Sequence, residues 1–408
     1  MYLTRQRKNK EILNNLRDIP SDNSGESSID EDEYYTENTM ENNGSSSDDN
    51  QSDEMDDEDD SLWEIAVDCT EWREQTNTDE IGRFPARNIF RATPGPTCYA
   101  RKKITNEAIS SFNLLISNDI LKHIQNCTEI EARKVTNNST WKVSLDELKA
   151  FIGLLYLRGV EGQKNKPIRS FWSSRFGCPY FNETLSRNRF YEVMQYLKFD
   201  VRGTRRERLK NDKFALMSDV WQMFINNSRN CYIPSSNLTV DEQLLATKAR
   251  CKFTQYMPSK PGKFGIKFWI IADCKSKYML NSLPYLGKDE SRPSNVPLGE
   301  YVVLTLSEPY LGKGYNITCD NYFTSVSLAN KLNSKKTSLV GTMKNNRREI
   351  NAVSLKKSTS SMNIHETKVF ENNFGHTLTA YQCKKNKNVK ILSSYHRKVN
   401  VMDNPKKT

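Results

Sequence analysis

The sequence lacks the features that would place it in a membrane or in a disulfide-rich fold. Its 408 residues contain no run of about 18 apolar residues, and the N-terminal residues have no apolar stretch of signal-peptide length. The nine cysteines are scattered without a Cys-x-x-Cys pair, and there are only four histidines, so no zinc site is predicted. The composition therefore predicts an intracellular protein with reduced thiols and no membrane partner.

Positive charge is missing from one segment and abundant in the rest. Residues 21–60 contain 17 Asp and Glu, no Lys or Arg and almost no aliphatic side chains, which predicts a disordered acidic N-terminal region over residues 1–60. Residues 61–408 hold 55 of the 60 Lys and Arg and 31 of the 50 Asp and Glu, a net charge of +24. Such a basic body favours binding to a polyanion, the alternative being a soluble basic protein with no such partner.

Hydrophobic spacing predicts an α/β fold with a mixed sheet, preceded by a largely helical domain. Apolar residues recur every three or four positions over residues 106–235, where Ser144 and Glu147 form a capping-box pattern. Residues 236–344 change to strand texture, in the order β, β, β, α, β, α, β. The remaining expectations are an irregular lead-in at 61–105, an insertion-like strand region at 345–400 and a truncated C-terminus at 401–408.

Two aspartates stand in segments that otherwise read as strands. Asp241 lies in LTVDEQLL (238–245), and Asp320 ends YNITCD (315–320). A carboxylate in a buried strand is costly unless it is paired or binds a cation. If the two strands are neighbours, the carboxylates converge, and a hard divalent cation such as Mg²⁺ or Mn²⁺ relieves their repulsion. Such ions can activate water and stabilise the leaving oxygen of a phosphodiester, so Asp241 and Asp320 are the candidate catalytic and metal-binding residues.

Each of these residues also has a plainer interpretation. Asp320 can be a turn or helix-cap residue, and Asp241 with Glu242 can be the polar face of an edge strand. A basic stretch with interleaved aromatic residues follows Asp241 and predicts contacts with DNA phosphates and bases, or else a solvated strand–loop surface. The candidate DNA-binding residues in it are Lys248, Arg250, Lys252, Lys260 and Lys263.

Several long motifs resemble the piggyBac family of DNA transposases and the proteins derived from them, over roughly residues 85–400. They are LTVDEQLLATKARCKF, YMPSKPGKFGIKFWIIAD, KYMLNSLPYLGK, ITCDNYFTS and VGTMKNNRREI. The resemblance implies an RNase H-like catalytic core next to a helical dimerisation and DNA-binding domain. It also implies that Asp241 and Asp320 are metal-binding catalytic aspartates acting at TTAA sites. Lys344 and Arg347 match a basic pair expected to contact DNA phosphate.

The sequence departs from that family at the third catalytic aspartate. The family's KGGVD-type motif is absent, and the only aspartate after Asp320 is Asp403, without a Gly-Gly lead. The resemblance therefore implies an incomplete site in a nuclear, transposase-derived DNA-binding protein that is inactive for transposition. Two alternatives stay open: an active TTAA-targeting transposase seen as a truncated gene model, and a non-enzymatic protein-interaction module. The expected partner is double-stranded DNA, with a homodimer left open and no small-molecule substrate.

Overall fold

The computed structural model describes residues 63–75, 89–162, 166–175, 177–249, 251–288, 292–350, 359, 361–385 and 387–396, all within one compact unit. The segments 1–60 and 401–408 and the candidate DNA contact Arg250 lie outside these residues. None of the described helices is long and apolar enough to cross a bilayer.

Eight α-helices precede the central strands, and two more lie between them, within the described residues. The first eight are α1 (Cys98–Lys103), α2 (Ala108–Leu115), α3 (Asn118–Thr136), α4 (Leu145–Val160), α5 (Pro179–Thr184), α6 (Arg187–Tyr196), α7 (Arg202–Asn211) and α8 (Ser218–Cys231). The later two are α9 (Leu298–Ser307) and α10 (Val326–Ser334). The predicted capping box is confirmed, since Ser144 accepts from the Glu147 backbone N–H and Glu147 accepts from the Ser144 N–H.

The described strands form one large mixed sheet and a separate two-stranded pair. They are β1 (Glu64–Ile65), β2 (Glu71–Glu74), β3 (Gly95–Pro96), β4 (Tyr232–Ile233), β5 (Asn237–Ala246), β6 (Thr254–Tyr256), β7 (Phe264–Asp273), β8 (Met279–Pro284), β9 (Asn316–Cys319), β10 (Ser338–Met343), β11 (Thr367–Asn372), β12 (Thr377–Lys384) and β13 (Lys387–Ser393). The large sheet has the order β1-β2-β11-β12-β13-β10-β9-β5-β7-β6, with β8 also paired to β7. This arrangement confirms the predicted mixed α/β class.

Five strands at the centre of the sheet have RNase H-like topology. Strand β7 pairs antiparallel with β5 and with β8, whereas β9 pairs parallel with β5 on its other side and β10 pairs parallel with β9. Helix α9 connects β8 to β9, and α10 connects β9 to β10. Parallel neighbours need such crossovers. Since β9 and β10 are parallel, their C-terminal ends lie at the same edge of the sheet.

Strands from both ends of the described chain extend this centre. Strand β13 pairs antiparallel with β10, β12 and β11 follow, and β2 pairs with β11. The lead-in, expected to be irregular, thus contributes β1 and β2 to the sheet edge and α1 to the helical part. Trp72 explains the ordering of β2, because its ring is buried and its Nε1 donates to the Glu349 carbonyl at 2.6 Å.

The two largest hydrophobic clusters lie one in the sheet and one in the helical part. One contains residues on one face of the central strands, including Leu238, Val240, Ile271 and Leu339, and extends to Phe370 and Leu392 of the added strands. The other fills the helical part around Phe151, Phe171, Phe181 and Phe190. The central strands therefore carry mostly buried apolar side chains, and the polar residues described below differ from this pattern.

Candidate functional site

The structure places Asp241 and Asp320 next to each other on adjacent parallel strands. Strand β5 lies between β7 and β9, and Val240 is the register partner of Cys319. Asp241 follows Val240, and Asp320 follows Cys319. Neighbouring strands of a sheet lie about 4.8 Å apart. Strand β5 is paired on both sides only as far as Val240, and from Asp241 onward it pairs with β7 alone. The edge-strand interpretation therefore holds locally for Asp241 and Glu242, although β5 as a whole is a central strand.

A turn directly after β9 fixes the position of Asp320. Its carboxylate accepts a hydrogen bond from the Tyr322 N–H at 2.9 Å, and its carbonyl accepts from the Thr324 hydroxyl at 2.8 Å. The turn interpretation is correct, whereas the cap interpretation is wrong, since Ser325 caps α10 by accepting from the Leu328 N–H. Asp320 is thus a turn residue whose carboxylate is held at the edge where Asp241 stands.

Asp241 is exposed to solvent, but the surroundings of its carboxyl group disfavour the ionised form. Its Oδ1 accepts a hydrogen bond from the Glu242 N–H at 2.7 Å. Partial burial raises the pKa of Asp241 above its ordinary value, and the charges of Glu242 and Asp320 raise it further. A cation bound between the carboxylates removes this repulsion.

The donor set fits Mg²⁺ or Mn²⁺. Hard divalent cations prefer oxygen ligands, and Mg²⁺ in proteins is often held by one or two carboxylates, with water and substrate phosphate filling the remaining positions. Asp241 and Asp320 would supply two such ligands to a cation bound here. Within the described ranges, no group of three or more His, Cys, Asp and Glu side chains is arranged to hold a metal ion.

The predicted DNA contacts after β5 divide into exposed and engaged residues. Lys248, Lys252 and Lys263 are exposed on the ribbon that β5, β6 and β7 form beyond the end of β9. Lys260 instead forms an ion pair with Glu242, its Nζ lying 3.0 Å from Oε1. Three of the four described members of this set can therefore reach a ligand directly, and Lys260 is bound within the site.

Lys344 and Arg347 lie beside the turn that carries Asp320. Lys344 follows β10 directly, and its Nζ is 5.9 Å from the centre of the Tyr322 ring. A terminal nitrogen of Arg347 donates to the Tyr322 carbonyl at 3.1 Å. The two side chains thus stand at the same sheet edge as the aspartates, and Arg347 also braces the Asp320 turn.

An aromatic cluster that was not predicted from the sequence lies next to this turn. The rings of Trp269 and Tyr322 stack with centroids 5.6 Å apart, and the Lys267 ammonium lies 3.8 Å from the Trp269 centroid. Trp269 is the register partner of Glu242, so the cluster packs against the strand segment that carries the candidate site. The two-residue alternation of FGIKFWIIAD placed Lys267 and Trp269 on one face and was the available signal.

A second basic cluster, in α7, is largely committed to the fold. Arg205 and Arg208 both pair with the buried carboxylate of Asp200, at 2.6 and 2.8 Å. Arg202 pairs with Glu131 at 3.4 Å. These charges compensate buried carboxylates, so they are less available to a nucleic acid than the exposed lysines after β5.

The chain is similar to known transposases and to proteins derived from them. A family model described as Transposase IS4 matches residues 107–407. The human PiggyBac transposable element-derived protein 3 is 26% identical over 208 residues, which are 48% of this chain and 33% of that protein. The human Chimeric ERCC6-PGBD3 protein matches at 26% identity over 208 residues, 48% of this chain and 19% of that protein. The chain thus spans a third or less of these curated relatives.

A solved structure matches more of the chain. It is a cryo-EM structure of the piggyBac transposase synaptic complex with hairpin DNA, with a TM-score of 0.71 and 32% identity, covering 76% of this chain and 65% of that one. At this identity and coverage the common architecture includes the central sheet. The predicted piggyBac kinship is confirmed, and the chain belongs to the Transposase IS4 family.

Proposed function

We propose that this chain is a nuclear, transposase-derived protein that binds double-stranded DNA at the edge formed by the C-terminal ends of β9 and β10. The observation that carries the proposal is the convergence of Asp241 and Asp320 on neighbouring strands, flanked by basic side chains. Carboxylates and phosphates repel each other unless cations stand between them, and this edge offers lysine, arginine and two metal ligands together. The related transposase was solved with DNA, which agrees with the proposal.

A divalent cation is part of the proposed site. Held by Asp241 and Asp320, Mg²⁺ or Mn²⁺ would supply Lewis-acid stabilisation of a phosphodiester oxygen. The chain's own residues align the phosphate: Lys344 stands beside Tyr322, and Arg347 holds the turn after Asp320. Because the described residues hold two candidate carboxylate ligands here and no group of three side chains arranged to hold a metal ion, we propose that DNA is bound without efficient strand cleavage.

The exposed lysines on the β5–β7 ribbon are proposed to contact phosphates rather than bases. A triple variant that replaces Lys248, Lys252 and Lys263 by Gln removes three mobile positive charges. We expect the salt dependence of duplex binding to become shallower by about two to three in the slope of log K against log salt, since each phosphate contact contributes about 0.9. The matched control replaces Lys275, Lys313 and Lys335, which are exposed near the opposite ends of the central strands.

The decisive measurement is binding and nicking of a TTAA-containing duplex across a salt series, with and without Mg²⁺ or Mn²⁺. Steep salt-dependent binding that the ribbon variant weakens, without nicking, supports the proposal. Equal effects of both lysine triples would argue for diffuse charge and no defined DNA site. Nicking that disappears in Asp241→Asn would instead favour the second hypothesis, an active transposase.

One observation favours the alternative of a protein-interaction surface. Helix α4 exposes Leu155, Tyr156 and Val160, and the Val160 side chain is 84% accessible. Neighbouring exposed apolar side chains on one helix are typical of a surface that meets another protein, such as a second copy of this chain. Sedimentation of the same samples without DNA separates the cases, because a monomer at all concentrations removes the homodimer from the proposal.

A further inference from the structure

A lysine side chain, Lys260, lies at the candidate metal site and carries a positive charge. Glu242 follows Asp241 on β5, and its Oε1 lies 3.0 Å from the Lys260 Nζ. Both partners are partly shielded from solvent, with 33% of the Lys260 side chain and 18% of the Glu242 side chain accessible. Partial shielding strengthens this ion pair relative to a fully exposed one, and this favours the position of the Lys260 ammonium next to Glu242.

The turn that carries Lys260 is organised by the chain itself. Strands β6 and β7 are joined by residues 257–263, and the Met257 N–H donates to the Lys263 carbonyl at 2.7 Å. Within it, the Lys260 N–H donates to the Met257 carbonyl at 3.0 Å. Pro258 and Pro261 flank Lys260 and restrict its backbone. The ammonium is therefore presented from a closed turn and not from a free loop.

Packing also brings this turn close to the end of β5. A Cβ atom on Gly262 would lie 2.5 Å from the Cβ of Ala246, so only glycine permits the observed approach. Glu242, the partner of Lys260, is adjacent to Asp241 on β5, and Asp320 follows Cys319, the register partner of Val240, so both aspartates lie near the ion pair. The ion pair with Glu242 raises the pKa of the ammonium, and the charges of Asp241 and Asp320 add to this. One positive charge thus faces three carboxylates.

We propose that Lys260 is a built-in counter-cation of the carboxylate site. Glu242 holds its ammonium beside Asp241 and Asp320, where it partly neutralises the pair and opposes the binding of a divalent cation. Lys260 then acts as a positioning residue that sets the metal affinity of the site. The inference deepens the proposed function, because its metal arm rests on Asp241 and Asp320 as metal ligands.

The first test is Mn²⁺ binding by the full chain without DNA, followed by electron paramagnetic resonance. Lys260→Gln removes the competing charge, and we expect the Mn²⁺ dissociation constant to fall about fivefold, the size expected for one nearby charge partly screened by water. Lys275→Gln carries the same change of net charge at a remote exposed position and should leave Mn²⁺ binding unchanged. Equal Mn²⁺ affinities for the two variants, or weaker binding by Lys260→Gln, would overturn the inference.

The second test needs no metal. Without Lys260 the carboxylates repel each other more strongly, so we expect Lys260→Gln to lower the urea midpoint more than Lys275→Gln does. In an Asp241→Asn background the extra loss should shrink by half or more, because one of the repelling charges is gone. An extra loss of the same size in both backgrounds overturns the inference. If no variant binds Mn²⁺ while this coupling is present, the proposed metal role fails and the counter-cation stands.

Discussion

At the scale of single residues, the ionised carboxylate of Asp241 is unfavourable in the folded protein. Burial and the charges of Glu242 and Asp320 raise its pKa above the ordinary value of 3.8. A raised pKa means that Asp241 contributes stability below the unfolded value, and that this contribution is lost as pH rises through the folded value. At pH 7 the charge therefore lowers the free energy of unfolding.

We expect Asp241→Asn to be more stable than the parent at pH 7, by at most about 1 kcal/mol because solvent screens this accessible group. Near pH 3 both side chains are neutral, so the difference should vanish. Urea unfolding of the two proteins at both pH values, without divalent cations, measures the effect. A gain in stability that persists unchanged at pH 3 would show that amide packing, and not charge, is its cause.

The residue scale also shows what a sequence can reveal about such a site. Asp241 and Asp320 were identified because each is a polar residue at the end or inside of an apolar strand, which is a local signal. The partners of the basic residues were not identified. Lys260 pairs with Glu242, from which 17 residues separate it, and Arg205 pairs with the buried Asp200. Such pairings depend on tertiary geometry that spacing alone does not encode.

At the scale of elements, β10 holds the Asp320 turn in place through a glycine. Gly341 is the register partner of Cys319, and a Cβ there would lie 2.7 Å from the Cys319 carbonyl oxygen and collide with the Thr324 hydroxyl group. That hydroxyl donates to the Asp320 carbonyl. A larger residue at 341 must therefore displace the strand or the turn.

We expect Gly341→Ala to lower the free energy of unfolding by about 1–3 kcal/mol, the range typical of overpacking. Gly153→Ala is the matched control: it lies within α4 with open space around it, and alanine there should be neutral or stabilising by up to about 1 kcal/mol. Urea unfolding of both variants makes the comparison. A Gly341→Ala protein as stable as the parent would mean that the turn after Asp320 yields without cost.

Elements were predicted best where one local period persisted. The strand predicted at 238–245 is β5, and residues 236–344, where strand texture was predicted, contain β5 to β10. Helical spacing was predicted throughout residues 106–235, but α8 begins only at Ser218, because the Asp212 side chain accepts from the Phe214 N–H and favours a turn there. The attachment of β1 and β2 to β11 was not predictable, since it joins segments about 300 residues apart and the lead-in has little periodicity.

At the scale of the whole molecule, the chain carries two opposite charge distributions. The net charge is +10 over the full sequence, whereas residues 61–408 alone carry +24. An acidic segment lowers the electrostatic potential that attracts a polyanion to the same chain, and this effect extends over roughly a Debye length, about 8 Å at physiological ionic strength. The sequence alone was sufficient for this expectation, because charge counts need no fold.

We therefore expect a variant whose Asp and Glu residues between 21 and 60 are all replaced by Asn and Gln to bind duplex DNA more tightly than the parent. The difference should be largest near 50 mM salt and should disappear toward 1 M salt, where the Debye length falls to about 3 Å. Fluorescence anisotropy across a salt series measures it. Deleting residues 21–60 is the control for length, and it should have the same effect, because both changes remove the same 17 negative charges. A deletion that tightens DNA binding where the neutral replacement does not would assign the effect to the bulk of the segment. Its charge would then have no part in regulating access to the basic edge.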